Sequence, residues 1–117
     1  MSEIKKSILH VDDDLDFHAY VDAMLGDVAH VTSVTTAKEF RELLAGCVFD
    51  LFLLDLVLKD GSGSSLIREL KPAFPDTPII ILSAHDLSDV IEGADGLFTK
   101  GRLEAKDFIH TINKLLN

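Results

Sequence analysis

The run Val48-Phe49-Asp50-Leu51-Phe52-Leu53-Leu54-Asp55-Leu56-Val57-Leu58 constrains this chain more than any other stretch. Its length and composition predict a strand buried on both faces, and such strands belong to sheets with a layer packed on each side. Asp55 is then an anomaly, because an unpaired carboxylate in that setting is costly. A second acidic cluster accompanies it. The apolar run Ile8-Leu9-His10-Val11 gives way abruptly to Asp12-Asp13-Asp14.

Along the chain, short apolar runs alternate with segments of helical period, which predicts an α/β domain built on a parallel sheet. The first strand is expected over residues 7–11, and Asp14 caps a helix that turns Phe17, Val21, Met24 and Leu25 inward and stops near Gly26. The second strand is read over 28–34. Thr36-Ala37-Lys38-Glu39 has capping-box spacing, opening a helix with Phe40, Leu43 and Leu44 inward and Gly46 at its end. The third strand spans 49–54 and carries Asp55 at its C-terminal end. After the loop Lys59-Asp60-Gly61-Ser62-Gly63 comes a helix with Leu66, Ile67 and Leu70 inward, and Pro72, Pro75 and Pro78 punctuate the route to the fourth strand at 79–82. A short, weak fourth helix is read around 87–91 and the fifth strand at 97–99. The final helix has the clearest stripe, with Ala105, Phe108, Ile109, Ile112, Leu115 and Leu116 on one face.

The chain has 117 residues, enough for one domain with a substantial core, and residues 1–117 are read as a single domain. The formal net charge of -9, with eleven basic residues scattered singly or in pairs, argues against a nucleic-acid partner. No apolar stretch approaches the ~18 residues of a membrane span. Met1-Ser2-Glu3 leads directly into the first strand-like run, so no signal peptide is expected. The lone Cys47 cannot form an internal disulfide, and the expected compartment is the reducing cytoplasm.

What stands at the strand ends carries the chemistry. The first strand ends in Asp12 and Asp13, the third in Asp55, the fourth in Ser83 and the fifth in Lys100. Open parallel sheets bind ligands beyond the carboxyl ends of their strands, where strand order reverses. In the order 2-1-3-4-5 that point lies between the first and third strands, which makes the two acidic sites neighbours. Two carboxylates ~5 Å apart repel by roughly 3 kcal/mol at an effective dielectric near 20. Three of them call for a cation or strongly raised pKa values. An all-oxygen ligand set points to a hard ion such as Mg²⁺, and a facing lysine with a hydroxyl donor suits a phosphoryl group.

Val11-Asp12-Asp13-Asp14, Leu54-Asp55-Leu56, Gly61-Ser62-Gly63, Ile81-Leu82-Ser83-Ala84 and Lys100, in this order, resemble the receiver domain of two-component response regulators, of the single-domain, chemotaxis-regulator-like kind. The resemblance covers essentially the whole chain. It implies a flavodoxin-like, doubly wound five-stranded parallel sheet of order 2-1-3-4-5, with helices on both faces and a short or irregular fourth helix. It further implies that Asp55 is the phosphoacceptor, taking its phosphoryl group from phospho-histidine on a sensor histidine kinase or phosphotransfer protein, or from a small acyl phosphate. Asp13 and Asp55 would bind Mg²⁺ directly, with the Val57 backbone carbonyl as a third ligand and Asp12 helping through water. Lys100 would pair with phosphoryl oxygens, and Ser83 would rotate inward to hydrogen-bond the phosphoryl group and report the new charge to the surface around the fourth helix and fifth strand, altering binding to a downstream protein. Gly63 matches the loop glycine before the third helix. Val57 and His85 fall where the family tunes the lifetime of the aspartyl phosphate. Both a monomer and a phosphorylation-dependent dimer remain open.

Several positions depart from the family pattern. Lys59 and Gly101 stand where many members have proline, which implies a less rigid loop and a less firmly held Lys100. Leu97 occupies the aromatic switch position, and Phe98 cannot replace it because neighbouring strand residues face opposite ways. The Ser83-to-Lys100 interval of 17 residues is about a turn or more short of typical members. Two alternatives stay open at this point. A pseudo-receiver would bind partners without phosphorylation. A haloacid-dehalogenase-type phosphohydrolase would want a second Asp where Val57 stands, and length for a cap.

Among the remaining polar residues, His10 is expected to be a satisfied core or half-buried histidine, while His18, His30 and His110 are read as surface residues. Cys47 is expected to be an inert buried thiol.

Overall fold

The computed structural model describes residues 5–85 and 91–117. Its central sheet contains β1 (Lys6–Val11), β2 (Ala29–Val34), β3 (Leu51–Asp55), β6 (Ile79–Ser83) and β7 (Gly96–Thr99), in the order β2-β1-β3-β6-β7 with every pairing parallel. This is the expected 2-1-3-4-5 topology. Two two-residue strands, β4 (Val57–Leu58) and β5 (Gly61–Ser62), form a small antiparallel hairpin after β3, where the sequence predicts only a loop over residues 59–63. Strands of two residues leave no periodicity in a sequence.

Register brings the strand ends to one edge. Val11 stands beside both Val34 and Leu54, Asp55 beside Leu82, and Ser83 beside Thr99. Helices α1 (Leu15–Leu25), α2 (Ala37–Leu44), α3 (Gly63–Ala73) and α4 (Ala105–Leu116) cover the sheet. Alternation along the strands divides the core between two faces. Leu51, Leu53, Ile80 and Leu82 pack with Phe17, Val21 and Leu25 of α1 and Phe108 and Ile112 of α4. Phe52, Leu54, Ile79 and Ile81 pack with Phe40 of α2 and Leu66, Ile67 and Leu70 of α3. All five residues of β3 are buried, Asp55 included.

Local chemistry explains the helix starts. The Asp14 carboxylate accepts the Asp16 N–H at 3.0 Å, as a capping residue should. Thr36 Oγ1 accepts the Glu39 N–H at 3.1 Å, while Glu39 Oε1 reaches back to the Thr35 N–H and hydroxyl.

Three readings need correction. Pro72 lies inside α3 and does not end it, because in the last turn its missing N–H costs a single bond and Phe74 N still donates to Leu70 O at 2.7 Å. Cys47 is exposed, since the chain leaves α2 along the surface before entering β3. Ala105 in α4 is exposed, at the first turn where the helix has not yet reached the sheet. The short helix expected at 87–91 lies outside the described residues except for Ile91, which is not helical.

Candidate functional site

The strand ends assemble one acidic site. Asp12 follows β1 and is fully buried, and its atoms are held from several directions. Its N–H donates to Val34 O at 3.0 Å, its Oδ1 accepts the Asp14 N–H at 2.9 Å, and its carbonyl accepts His18 Nε2–H at 2.6 Å. Asp13 is less buried, and Asp55 closes β3 with 6% exposure. Asp12, Asp13 and Asp55 offer carboxylate oxygens that all lie within 4.8 Å of one another.

Lys100 begins a single 3₁₀ turn, Lys100–Arg102, directly after β7. Its ammonium sits 2.7 Å from Asp12 Oδ2 and 3.3 Å from Asp55 Oδ2, and 4.8 Å above the Phe17 ring centroid. One cation therefore bridges the two buried carboxylates, with an aromatic floor beneath it. Asp55 Oδ1 also accepts a long bond from Val57 N–H, 3.4 Å.

These placements set the proton affinities. Burial, reinforced by the negative charge of Asp12, pushes the Asp55 carboxyl up to about 6 despite the Lys100 ammonium. Burial also works to raise the Asp12 carboxyl, but His10, Lys100 and the Asp14 N–H outweigh it and hold it well below the usual range. Burial alone would lower the Lys100 ammonium, yet Asp12 and Asp55 hold it above its ordinary value. The site thus keeps Asp12 ionised and leaves Asp55 the more basic carboxylate.

The remaining predicted residues fall around this core. Ser83 is buried at the end of β6, where its hydroxyl donates to His85 O at 2.7 Å and accepts the His85 N–H at 3.2 Å. His85 and Val57 are exposed. Gly63 opens α3 with its N–H on Leu56 O at 2.9 Å, and a Cβ there would stand 2.9 Å from Asp55 O. Leu97 is exposed on β7, while Phe98 points to the other face and meets Phe108 edge-on at 5.2 Å.

Several participants escape a reading by residue type. His18 is half-buried and bonded to Asp12, not a surface residue, because the first turn of α1 folds it back over the end of β1. Its place in the first turn of the helix that follows Asp12 is the trace left in the sequence. His10 is fully buried as expected, with Nδ1 3.0 Å from Ser33 Oγ, but it is not the satisfied histidine expected of it, because its Nε2 has no hydrogen-bond partner. Asp60, on the β4–β5 turn, accepts the Ala37 and Lys38 N–H groups at 2.8 and 3.1 Å, tying the segment after Asp55 to the start of α2.

A profile of the response regulator receiver domain matches residues 8–110. The chain belongs to this family. Among curated proteins it is 34% identical to the response regulator protein PilR of Pseudomonas aeruginosa over 97% of its own length and 27% of PilR. It is 35% identical to the transcriptional regulatory protein CiaR of Streptococcus pneumoniae over 80% of its length and 44% of CiaR. The chain thus spans less than half of these curated relatives. Among solved structures, the BeF3-activated DrrB receiver domain superposes with a TM-score of 0.86 at 26% identity, covering 97% of this chain and 98% of that one. A CheY-like receiver domain protein from Methanospirillum hungatei gives 0.87 at 25% identity, covering 97% and 94%.

Receiver domains bind Mg²⁺ at an acidic pocket and engage histidine kinases or phosphotransfer proteins and downstream targets, and in the main they are not catalytic. The match favours neither the phosphohydrolase nor the phosphorylation-independent alternative. Among the described residues no helix is long and apolar enough to cross a membrane.

Proposed function

We propose that Asp55 accepts a phosphoryl group from the phospho-histidine of a kinase or phosphotransfer protein, with Mg²⁺, and that the aspartyl phosphate alters binding to a downstream protein. The supporting observation is the convergence of Asp12, Asp13 and Asp55 oxygens within 4.8 Å, with Lys100 Nζ 3.3 Å from Asp55 Oδ2. In the transfer an Asp55 oxygen bonds to phosphorus as the P–N bond breaks, and the imidazole leaves with a proton from solvent.

The donors fit a hard cation, being carboxylate oxygens that converge within 4.8 Å of one another. Asp13, Asp55 and the Val57 carbonyl would hold Mg²⁺ directly, with Asp12 acting through water. The ion supplies positive charge to the phosphoryl oxygens. Lys100 pairs with those oxygens, and Ser83 leaves the His85 carbonyl to donate to one of them. Val57 and His85 screen the water whose attack on phosphorus returns the free carboxylate and inorganic phosphate. With Leu97 exposed and Phe98 held against Phe108, the output does not run through an aromatic switch on β7.

Incubation with acetyl phosphate and Mg²⁺, followed by intact mass, tests the reading. The wild type gains one phosphoryl mass and Asp55→Asn gains none. An unmodified wild type at every Mg²⁺ concentration sinks the proposal.

A further inference from the structure

The inner side of the site holds two orphaned atoms that face each other. His10 Nε2 and Asp12 Oδ2 lie 3.6 Å apart on fully buried side chains, and neither has a hydrogen-bond partner. That separation is too long for a hydrogen bond. Lys100 gives Oδ2 an opposite charge at 2.7 Å, but not an aligned hydrogen bond. A native core rarely leaves such a pair unmade without a reason.

The tautomer of His10 follows from its surroundings. Its Nδ1 is 3.0 Å from Ser33 Oγ, a group that can donate or accept. A proton on Nδ1 would aim the lone pair of Nε2 at the Asp12 carboxylate, which is repulsive. A proton on Nε2 lets Ser33 donate to Nδ1 and points an N–H at Oδ2. Burial disfavours the charged form of the ring. The resulting chain runs from the Ser33 hydroxyl through the His10 ring to Asp12.

We infer that His10 is a positioning residue: its Nε2–H stands in reserve for Asp12 Oδ2 and completes that bond when Lys100 turns from Asp12 to the phosphoryl group. This rests on the assignment of Lys100 as the phosphoryl-pairing cation. Without a replacement, the departure of Lys100 would strip Oδ2 of its nearest positive group in a fully buried position. Closing the gap takes a movement of less than about 1 Å. The rest of Asp12 is held by Val34 O, the Asp14 N–H and His18, so only Oδ2 has a bond to exchange. A neutral donor on Oδ2 orients the carboxylate without adding a charge to the site.

The test uses ¹⁵N-labelled protein and histidine-ring ¹H–¹⁵N correlations, recorded metal-free, with Mg²⁺, and with Mg²⁺ and beryllofluoride. His10 is expected as the Nε2–H tautomer throughout, with its Nε2–H resonance moving downfield and exchanging more slowly when beryllofluoride binds. His10→Leu should weaken beryllofluoride binding about tenfold, and His10→Gln, which keeps a donor near Nε2, should recover most of it. Should His10→Leu fail to fold, Ser33→Ala serves, with loss of the single tautomer as the expected result. An Nδ1–H tautomer, an unmoved Nε2–H in a protein that binds beryllofluoride, or wild-type behaviour in Ser33→Ala overturns the role of His10 alone. A wild type that binds no beryllofluoride at any Mg²⁺ concentration overturns the phosphoacceptor reading and this inference with it.

Discussion

Lys100 Nζ lies nearer to Asp12 than to Asp55, 2.7 Å against 3.3 Å, and Asp12 is the more deeply buried of the two. In the resting protein the lysine is therefore first a counter-ion for Asp12. Removing one partner of a buried ion pair strands the other, which costs roughly 3–5 kcal/mol. The Lys100 side chain keeps 14% exposure, so the lower end applies. Lys100→Met should lose about 3 kcal/mol in urea unfolding with EDTA, and Mg²⁺ should restore part of it. An unchanged midpoint in EDTA would show that Lys100 does not carry Asp12.

Asp55 predicts the opposite sign. Its carboxyl rises from 3.8 to about 6 on folding, first through burial and then through Asp12. A group with a raised folded pKa gives stability that is fully present below its unfolded pKa and is lost as pH rises through the folded one. Metal-free wild type should therefore weaken across that window relative to Asp55→Asn, which stays neutral. The shift corresponds to at most about 3 kcal/mol in favour of the variant at neutral pH and above. Denaturant titrations in EDTA should show the gap opening between about pH 4 and 7 and closing in acid. A variant that is no more stable at pH 8 than wild type contradicts the raised proton affinity assigned to Asp55.

Gly63 packs against the backbone of the residue that carries this carboxylate. An added Cβ would stand 2.9 Å from the Asp55 backbone oxygen and 3.2 Å from Leu56 Cα, and backbone atoms where the central strand ends cannot easily step aside. Gly63→Ala should cost roughly 1–3 kcal/mol, the usual range for overpacking, and slow the acetyl-phosphate reaction by displacing Asp55. Gly101→Ala, with nothing within 4 Å of the new Cβ, should stay within about 0.5 kcal/mol of wild type. Equal behaviour of the two variants would refute the packing argument.

How much of this was legible in the sequence depended on how many residues spoke together. The β3 run needs no partner to be recognised, because its uniform apolarity already implies cover on two faces. Asp14 and Thr36 declare helix starts through a local bond that their own spacing encodes. Asp12, Asp13, Asp55 and Lys100 were found because strand ends of a parallel sheet share an edge. What stayed hidden was decided by tertiary direction. His18 sits on a helix whose polar face looks solvent-bound until the helix folds its first turn onto Asp12. Pro72 signals a helix end in general, but the final turn tolerates it. Cysteine as a residue type favours burial, but the path from α2 to β3 leaves Cys47 outside. The β4–β5 hairpin is too short for a pattern, yet it places Asp60.

Asp60 supplies the last prediction. Its two carboxylate oxygens take the Ala37 and Lys38 N–H groups, two of the donors that a helix start leaves without intrahelical partners. Those bonds hold its carboxyl below the usual range, with Ala37 the larger contributor and Lys38 next. A depressed carboxyl contributes stability that is present above its unfolded pKa and is lost as pH falls through the folded one. The contact joins the hairpin after Asp55 to α2, so its loss should loosen both ends. Asp60→Ala is expected to speed amide exchange at Ala37 and Lys38, and to a lesser degree at Val57 and Ser62 of the hairpin, while amides of β3 stay protected. Asp60→Asn keeps one acceptor oxygen and should fall between. If exchange rises at Ala37 and Lys38 but the hairpin amides are untouched, Asp60 is a cap for α2 and not a tether for the segment that follows Asp55.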